Sequence, residues 1–322
     1  MEEIIPPLDP LLIEAELTDS KFLRNTNNGH KQIYLFTAHD SPILMRELGR
    51  LREITFRDAG GGTGKAVDID EYDIMEVPFH QLVVWDPVEK EIIGGYRFIH
   101  GYDLRREQNG SVYSATAELF DFSKRFIHDY LPASIELGRS FVQPNYQPTV
   151  NFRKGMYSLD NLWDGLGAMV IENPDVKYLF GKMTMYPDYN RTARDIVLYF
   201  LRKYFPDTEN LMIAREKVVC ETPDSVLAGI FIGSTYEENY KILIREVRKH
   251  NEHVPPLVNA YMNLSPTMRT FGAAINHEFG EVEETGILIH IDDIYPRKKE
   301  RHLKTYIQRL SSLKGFRWQR RK

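Results

Sequence analysis

The feature that most constrains this chain is the way helix-like and strand-like segments alternate along it. The segment ASIELGRSFV (133–142) is typical of a strand, and SLDNLWDGLGAMVIE (158–172) has the apolar spacing of a helix. Further strands are predicted at 80–86, 91–99, 177–185 and 286–292, with a weaker one at 111–119. Further helices are predicted at 41–57, 191–205 and 236–250, with a short one opening at the two prolines 255 and 256. No segment repeats at a fixed period. The alternation of the two element types favours a mixed α/β or α+β domain.

The composition supports a folded chain in a reducing compartment. The 322 residues are 42% hydrophobic and 12% aromatic, which is enough to build a sizeable core. No apolar run reaches the roughly 18 residues of a membrane-spanning helix. Acids and prolines in MEEIIPPLDP argue against a secretory signal peptide. Cys220 is the sole cysteine, which leaves no internal disulfide and no thiolate metal cage, so we expect a cytoplasmic protein.

The charge is distributed unevenly between the C-terminus and the rest of the chain. Residues 296–322 carry eleven Lys/Arg and one acid, whereas the whole chain has a net charge of −5. Within this tail, apolar residues recur at helical spacing: Leu303, Tyr306, Ile307, Leu310 and Leu313. Such a helix could lie on an anionic membrane surface, bind an acidic protein, or pack on the body of the molecule. Nucleic acid is not an expected partner, because no recognised binding motif accompanies the charge.

A glycine-rich segment, AGGGTGKA (59–66), imitates a phosphate-binding P-loop without matching it. Ala59 stands where the first glycine belongs, and Ala66 replaces the hydroxyl that would bind magnesium. The segment also follows a predicted helix, so we expect a flexible loop instead. The acidic run after it lacks the pattern of a calcium loop. The histidines have no ligand spacing, and no metal site is expected.

Glu136 is the most informative acidic residue. It lies in a predicted strand between apolar neighbours, where burial would raise its pKa and suit it to act as a general base. The alternative is a structural carboxylate that pairs with Arg97 or Arg139. A regular strand would place Glu136 on one face and Leu137, Arg139 and Phe141 on the other.

The segment FRKG (152–155) lies between a predicted strand and a predicted helix. Arg153 and Lys154, together with free N–H groups at the start of the helix, would favour a phosphate at this point. The alternative is an ordinary connecting loop with basic surface residues.

Taken together, these segments resemble a branch of the GNAT superfamily, the ornithine-lipid and glycine-lipid N-acyltransferases that are often labelled hemolysin-like. This branch is similar to acyl-homoserine-lactone synthases. The most specific match is ELGRSFVQPNYQ (136–147), and the resemblance covers about residues 40–295. The residues that match the family are Arg52, Phe56, Asp70, Asp73, Arg97, Glu136 and Arg139.

The resemblance implies a GNAT-like mixed, twisted sheet flanked by helices, with splayed central strands. The strands 133–142 and 177–185 would part to admit the pantetheine arm of an acyl donor. The expected organisation is an N-terminal extension at 1–40, a GNAT-like acyltransferase domain at 41–295 and the basic amphipathic tail at 296–322.

The resemblance also implies roles on the acceptor side of the site. Glu136 would remove a proton from the acceptor amine, directly or through a water, while Arg97 and Arg139 would hold the acceptor's carboxylate. The acceptor side would be shaped by Arg52, Phe56, Asp70 and Asp73.

On the donor side, the N–H groups near Phe141 and Val142 would face the thioester carbonyl. Arg153, Lys154 and Gly155 stand approximately where acetyltransferases carry a pyrophosphate-binding motif. Because that motif is not cleanly present, acyl carrier protein, whose arm has one phosphate, is the expected donor and partner, with acyl-CoA as the alternative. No permanently bound cofactor is expected.

The leading prediction is an N-acyltransferase that moves a long-chain acyl group to the amine of an amino acid such as glycine or ornithine. One alternative is a CoA-dependent acetyltransferase acting on a small amine. Another is a non-catalytic, hemolysin-like protein that binds lipid. The enzyme would be cytoplasmic, with peripheral attachment to an anionic membrane surface through residues 297–322.

Overall fold

The structure is a computed structural model, and it describes residues 1–311. A large mixed sheet of eight strands forms its centre, in the order β1-β2-β3-β4-β6-β7-β10-β9. These strands are β1 (Phe22–Asn25), β2 (Gln32–Phe36), β3 (His80–Asp86), β4 (Glu91–His100), β6 (Ser134–Val142), β7 (Tyr178–Met185), β9 (Arg269–Asn276) and β10 (Val282–His290). Two short strands, β5 (Phe120–Phe122) and β8 (Met212–Ala214), form a separate ribbon. Neighbours in the large sheet are antiparallel except β6 and β7, which are parallel.

Helices cover both faces of this sheet. In chain order they are α1 (Pro10–Glu16), α2 (Pro42–Asp58), α3 (Glu71–Ile74), α4 (Phe152–Gly155), α5 (Ser158–Glu172), α6 (Arg191–Tyr204), α7 (Asp224–Ile230), α8 (Tyr236–Arg248), α9 (Pro256–Met262) and α10 (Pro296–Lys299). Leu82 and Val84 of β3 pack in one core cluster with α5, whereas Val83 and Trp85 pack with α2. Since successive strand residues point to opposite faces, α2 and α5 lie on opposite sides of the sheet.

The strongly periodic predictions are confirmed, and the errors fall in weakly patterned segments. The helices predicted at 41–57, 158–172, 191–205 and 236–250 are present, as are the strands at 80–86, 91–99 and 133–142. The strand predicted at 111–119 is wrong, because this segment forms a series of turns. Strands β1, β2 and β9 were not predicted, and β1 and β9 are the two edge strands of the sheet. Residue 40 as a domain boundary stays a prediction.

The first part of the basic tail packs on the body. Residues 296–311 are helical, and Tyr306 is buried where its hydroxyl donates to Glu172 of α5 at 2.7 Å. His302 contacts Asp164 of α5, with 2.8 Å between Nδ1 and Oδ1. These contacts favour the packed helix that the sequence left as an alternative. Leu313 and the rest of the tail lie outside the described residues.

The glycine-rich loop after α2 is held by a buried carboxylate. Glu53 accepts hydrogen bonds from the backbone N–H groups of Thr63 at 3.1 Å and Gly64 at 2.7 Å. It also accepts from the Thr63 hydroxyl at 2.7 Å. A loop whose N–H groups already bind a carboxylate is not a phosphate cradle, and these bonds do not support the expected flexibility.

Candidate active site

The central strands β6 and β7 separate halfway along their length. Their pairing ends at Leu137 and Gly181, after four residue pairs. Beyond that point β6 stays bonded to β4, as far as Val142, and β7 stays bonded to β10, as far as Met185. A cavity of about 860 Å³ lies at this fork and is lined by residues of both strands. The splayed central strands implied by the resemblance are therefore confirmed.

A bulge in β6 rearranges the residues that line the fork. Arg97 pairs with Gly138 and Gly95 pairs with Phe141, so Arg139 and Ser140 together oppose one residue of β4. Arg139 has a φ of 46°, in the left-handed region that non-glycine residues seldom adopt. The expectation that Leu137 and Phe141 share a face is wrong, because the extra residue turns Phe141 toward α2.

Glu136 lies at the fork and is 1% exposed. Its Oε1 accepts a hydrogen bond from the Thr116 backbone N–H at 2.7 Å, while Oε2 has no hydrogen-bond partner among residues 1–311. Burial raises the pKa of Glu136, and hydrogen bonding to Thr116 and the charge of Lys182 oppose that rise only in part. A buried carboxylate oxygen without a partner in a cavity wall is suited to accept a proton from a bound ligand.

Arg97 and Arg139, the alternative partners predicted for Glu136, pair with aspartates instead. Arg97 donates to both carboxylate oxygens of Asp70 at 2.7 Å and lies 3.5 Å from Asp73. Arg139 donates to Asp68 at 2.8 Å and to Asp70 at 3.3 Å.

Five of the predicted residues meet in this buried ion-pair cluster beside the cavity: Arg52, Asp70, Asp73, Arg97 and Arg139. Arg52 is fully buried and pairs with Asp73 at 3.2 Å. Burial alone would raise the pKa of Asp70, but Arg97 and Arg139 outweigh burial and hold it far below its usual range. Because these arginines already face aspartates, binding of the acceptor's carboxylate by Arg97 and Arg139 stays a prediction that this pairing does not favour.

Phe56 and Phe141 form the aromatic wall on the α2 side. The ring of Phe56 packs edge-on against Phe141 at 6.3 Å and against Phe279 at 5.0 Å between centroids. All three rings line the cavity. Phe56 therefore lies on the wall of the cavity, and its role on the acceptor side stays a prediction.

The main chain at Val142 faces the gap between the strands. Gln143 donates its backbone N–H to Ile93 at 2.9 Å, so alternation along the antiparallel ladder turns the Val142 peptide groups away from β4. The side chain of Gln147 donates to the Val142 carbonyl at 3.0 Å. The Val142 N–H thus points toward the gap, whereas the paired position of Phe141 directs its N–H to β4.

The three residues predicted to bind the donor's phosphate have different surroundings. Gly155 lines the cavity, and a Cβ placed there would come within 2.4 Å of the Pro148 nitrogen. Lys154 pairs with Glu89 at 2.7 Å, and Arg153 is exposed. Gly155 is the one of the three that reaches the cavity, and a phosphate role for Arg153 and Lys154 stays a prediction.

Sequence reasoning missed Lys182, the one cation within β7. Its ammonium donates to the carbonyl of Ala115 at 2.7 Å and pairs with Glu284 at 2.8 Å. Burial alone would raise the pKa of Glu284, but Lys182 and Asn276 outweigh it, so this pKa is lowered. A lysine inside the mostly apolar strand sequence YLFGKMTM was the signal that could have found this residue.

Two tyrosines on the α5 side were also missed. Tyr96 of β4 and Tyr261 of α9 both line the cavity and are at most 4% exposed. Burial raises the pKa of each hydroxyl, so both remain protonated donors over the ordinary pH range.

Neither a metal site nor a membrane-spanning helix is found among the described residues. Residues 1–311 contain no group of three or more acidic, histidine or cysteine side chains placed to hold a metal ion. Within the same residues, no helix is both long enough and apolar enough to cross a bilayer.

Known proteins resemble this chain at the level of sequence and family. A model of the acetyltransferase (GNAT) domain matches residues 51–153. A glycine N(alpha)-acyltransferase of Bacteroides thetaiotaomicron is 55% identical over 308 residues, covering 96% of this chain and 91% of the relative. A protein of the same name from Phocaeicola vulgatus is 53% identical, covering 96% and 94%.

Among solved structures, a CoA-dependent acyl-homoserine lactone synthase, BjaI, with SAM and isopentyl-CoA is 14% identical. It covers 48% of this chain and 67% of its own, with a TM-score of 0.32, a likeness too weak to carry an argument. The identity and coverage of the two curated relatives, with the parted strands, set aside the non-catalytic interpretation. The chain is an acyltransferase enzyme and belongs to the GNAT-fold N-acyltransferases.

Proposed function

We propose that this enzyme transfers a long-chain acyl group from a thioester donor to the amine of glycine, forming an N-acylglycine. The glycine acceptor comes from the names of the two curated relatives. The observation that carries the proposal is the unpartnered Oε2 of Glu136, at a fork between strands that is wide enough to enclose a ligand.

A long acyl chain is supported by the size and lining of the cavity. Its volume of about 860 Å³ falls within the range of roughly 300–1,000 Å³ that is typical of sites enclosing a ligand. Its α5-side wall is apolar and includes Leu179, Leu257, Ile287 and Ile289. An acetyl group would leave most of this wall without contacts.

The proposed chemistry is direct attack by the amine. Glu136 takes a proton from the glycine ammonium, and the freed nitrogen attacks the thioester carbonyl carbon. As the C–N bond forms, the carbonyl oxygen gains negative charge, which the Val142 N–H is placed to stabilise. The nitrogen of the tetrahedral adduct gives up its second proton as the adduct collapses and the C–S bond breaks, and the departing thiolate takes up that proton. Glu136 then releases the first proton to solvent.

We propose acyl carrier protein as the donor and as the protein partner, with acyl-CoA as the alternative. Arg153 is an exposed cation close to Gly155 of the cavity wall, and it would face the acidic carrier. Residues 297–322 would provide further positive charge toward the carrier or toward an anionic membrane surface.

The test is an assay with two donors and several acceptors. Palmitoyl carrier protein, palmitoyl-CoA and acetyl-CoA are each incubated with glycine, ornithine and other amino acids, and N-acyl products are identified by mass spectrometry. We expect N-palmitoylglycine, formed fastest from the carrier protein. Turnover confined to acetyl-CoA would favour the small-amine acetyltransferase, and N-palmitoylornithine as the main product would replace glycine as the acceptor.

A further inference from the structure

The acceptor site has a spacing element made from the main chain, the peptide group between Ala115 and Thr116. Its N–H donates to Glu136 Oε1 at 2.7 Å, and its carbonyl accepts from Lys182 Nζ at 2.7 Å. Because a trans peptide directs its N–H and C=O to opposite sides, one rigid unit holds the carboxylate and the ammonium apart at a fixed distance.

We propose that this spacing selects a free α-amino acid, whose ammonium binds Glu136 Oε2 and whose carboxylate binds Lys182. The inference rests on the proposed function and adds to it the residues that recognise the two charged groups of glycine, which have one carbon between them. Lys182 is a substrate-binding residue in this scheme.

Two buried oxygens support the proposed binding of the acceptor's ammonium. Glu136 Oε2 and Thr116 Oγ1 are both buried, and neither has a partner in regular hydrogen-bond geometry among residues 1–311, although the Thr116 hydroxyl lies near enough to Glu136 to oppose the rise of its pKa. Each residue is 1% exposed and lines the cavity. Buried polar atoms without partners are rare in folded proteins, and an ammonium group brings three donors and no acceptor. The chemistry of the two oxygens therefore fits the acceptor's ammonium.

The N–H donors of Lys182 support the proposed binding of the acceptor's carboxylate. A lysine ammonium has three donors, and in the described part of the chain two are used, by Ala115 and by Glu284. The side chain is 11% exposed and lines the same cavity. Because the acceptor is neutral overall, its binding leaves the charge of the Glu136, Lys182 and Glu284 group unchanged.

The facing strands place both halves on one side of the sheet. Glu136 pairs in register with Phe180, and Lys182 lies two residues further along β7, so all three side chains share a face. Ala115 lines the cavity between them. The donor's apolar wall, with Leu179, lies on the opposite face, so an acceptor bound here would meet the thioester across the fork.

The first test uses the parent enzyme and three acceptors at a saturating concentration of the acyl donor. Glycine has the proposed spacing, β-alanine is longer by one methylene, and glycinamide lacks the carboxylate. We expect kcat/KM for glycine to exceed that for either analogue by about 10- to 100-fold. Equal use of glycine and glycinamide would overturn the proposal and leave the proposed function intact, whereas absence of acylglycine from every donor would overturn the proposed function itself.

The second test removes the cation. In K182M we expect KM for glycine to rise about 10- to 100-fold, with a smaller change in kcat and little change for glycinamide, so that discrimination between the two is lost. K177M, which alters an exposed lysine just before β7, is the matched control. Because K182M leaves Glu284 buried without its cation, K182M/E284Q is the second variant.

Retention of the glycine preference in K182M or in K182M/E284Q would overturn the proposal. If R139Q lost the preference while the Lys182 variants kept it, the carboxylate would bind Arg139 instead of Lys182.

Discussion

At the scale of single residues, the site depends on a carboxylate kept in an unfavourable environment. Glu136 is buried with one oxygen unpartnered, and its pKa is raised mainly for that reason. In the folded state this carboxyl holds its proton more tightly than in the unfolded chain. Its favourable contribution to stability is therefore present below its ordinary pKa of 4.5 and is lost as the pH rises through the folded value.

Replacing Glu136 by Gln should separate activity from stability. We expect E136Q to lower kcat by roughly 10²–10⁴-fold and to remove the acidic limb of the pH–rate profile, because the group whose ionisation creates that limb is gone. In urea unfolding, the free energy of the parent should fall relative to E136Q as the pH rises through the raised pKa. An unchanged kcat would exclude Glu136 as the base.

The pairing of Asp70 with Arg97 predicts the opposite dependence of stability on pH. The pKa of Asp70 is lowered in the folded state, so its contribution is present above its ordinary value of 3.8 and is lost as the pH falls through the folded value. At neutral pH we expect D70N to lower the free energy of unfolding by roughly 3 kcal/mol, at the low end for buried pairs because Asp70 is 23% exposed.

The matched control is D129N, which removes an exposed carboxylate lying 3.8 Å from Arg125. Its effect should stay below about 1 kcal/mol. Equal losses of stability in D70N and D129N, measured in the same urea titration, would contradict the account of the buried cluster.

At the scale of elements, sequence patterns found what local periodicity specifies. The helix α5 and the strand pair β3–β4 were predicted to within about one residue, because their apolar positions repeat strongly. The strands β1 and β2, at one end of the sheet, were missed because their pattern is short. The segment 111–119 was wrongly assigned as a strand because small and β-branched residues also suit a turn-rich loop, and Thr116 was missed with it.

The fork itself could not be derived from periodicity. Both β6 and β7 have ordinary strand patterns, and the point at which they part depends on which neighbour each one follows. Family resemblance supplied the expectation of a fork, and Glu136 was singled out by its place in a strand between apolar neighbours. Lys182 and the Ala115–Thr116 peptide became visible only when the loop and the strands were placed together.

Gly181 is the last residue of β7 that pairs with β6 before the fork, and its surroundings leave no room for a side chain. A Cβ there would lie 2.2 Å from the Leu137 carbonyl oxygen. We expect G181A to lower the free energy of unfolding by about 1–3 kcal/mol, because backbone must move to relieve the clash.

G229A is the matched control for this variant. Gly229 lies in α7 with open space around its Cβ position, so alanine there should be neutral or stabilising by up to about 1 kcal/mol. Thermal unfolding of the two variants side by side measures the difference, and a loss in G229A as large as in G181A would argue against the clash.

At the scale of the whole molecule, the helix over 296–311 packs against both β1 and α5. Arg24 of β1 donates to the backbone carbonyl of His302 at 3.1 Å, and its guanidinium lies over the Tyr306 ring at 5.2 Å. The described part of the tail therefore has a structural role on the body. Variants that test membrane binding are better designed by changing exposed charges than by deleting the whole tail.

Two neighbouring substitutions measure this packing. We expect Y306A to lower the free energy of unfolding by about 3 kcal/mol, because it removes a buried ring and the hydrogen bond to Glu172. I307A alters a side chain that is 48% exposed and should cost about 1 kcal/mol or less. Similar losses in the two variants would contradict the orientation of the helix.

The peptide between Ala115 and Thr116 has a consequence for how acceptor choice could diverge. This spacing element consists of main-chain atoms, so it has the same length whatever side chains stand at those two positions. Point substitutions there therefore cannot lengthen it. Enzymes of this kind that acylate amino acids with more carbons between the two charged groups should therefore differ by inserted or deleted residues in the loop over 111–119. Grafting such loops would be a more direct route to a new acceptor than exchanging single side chains.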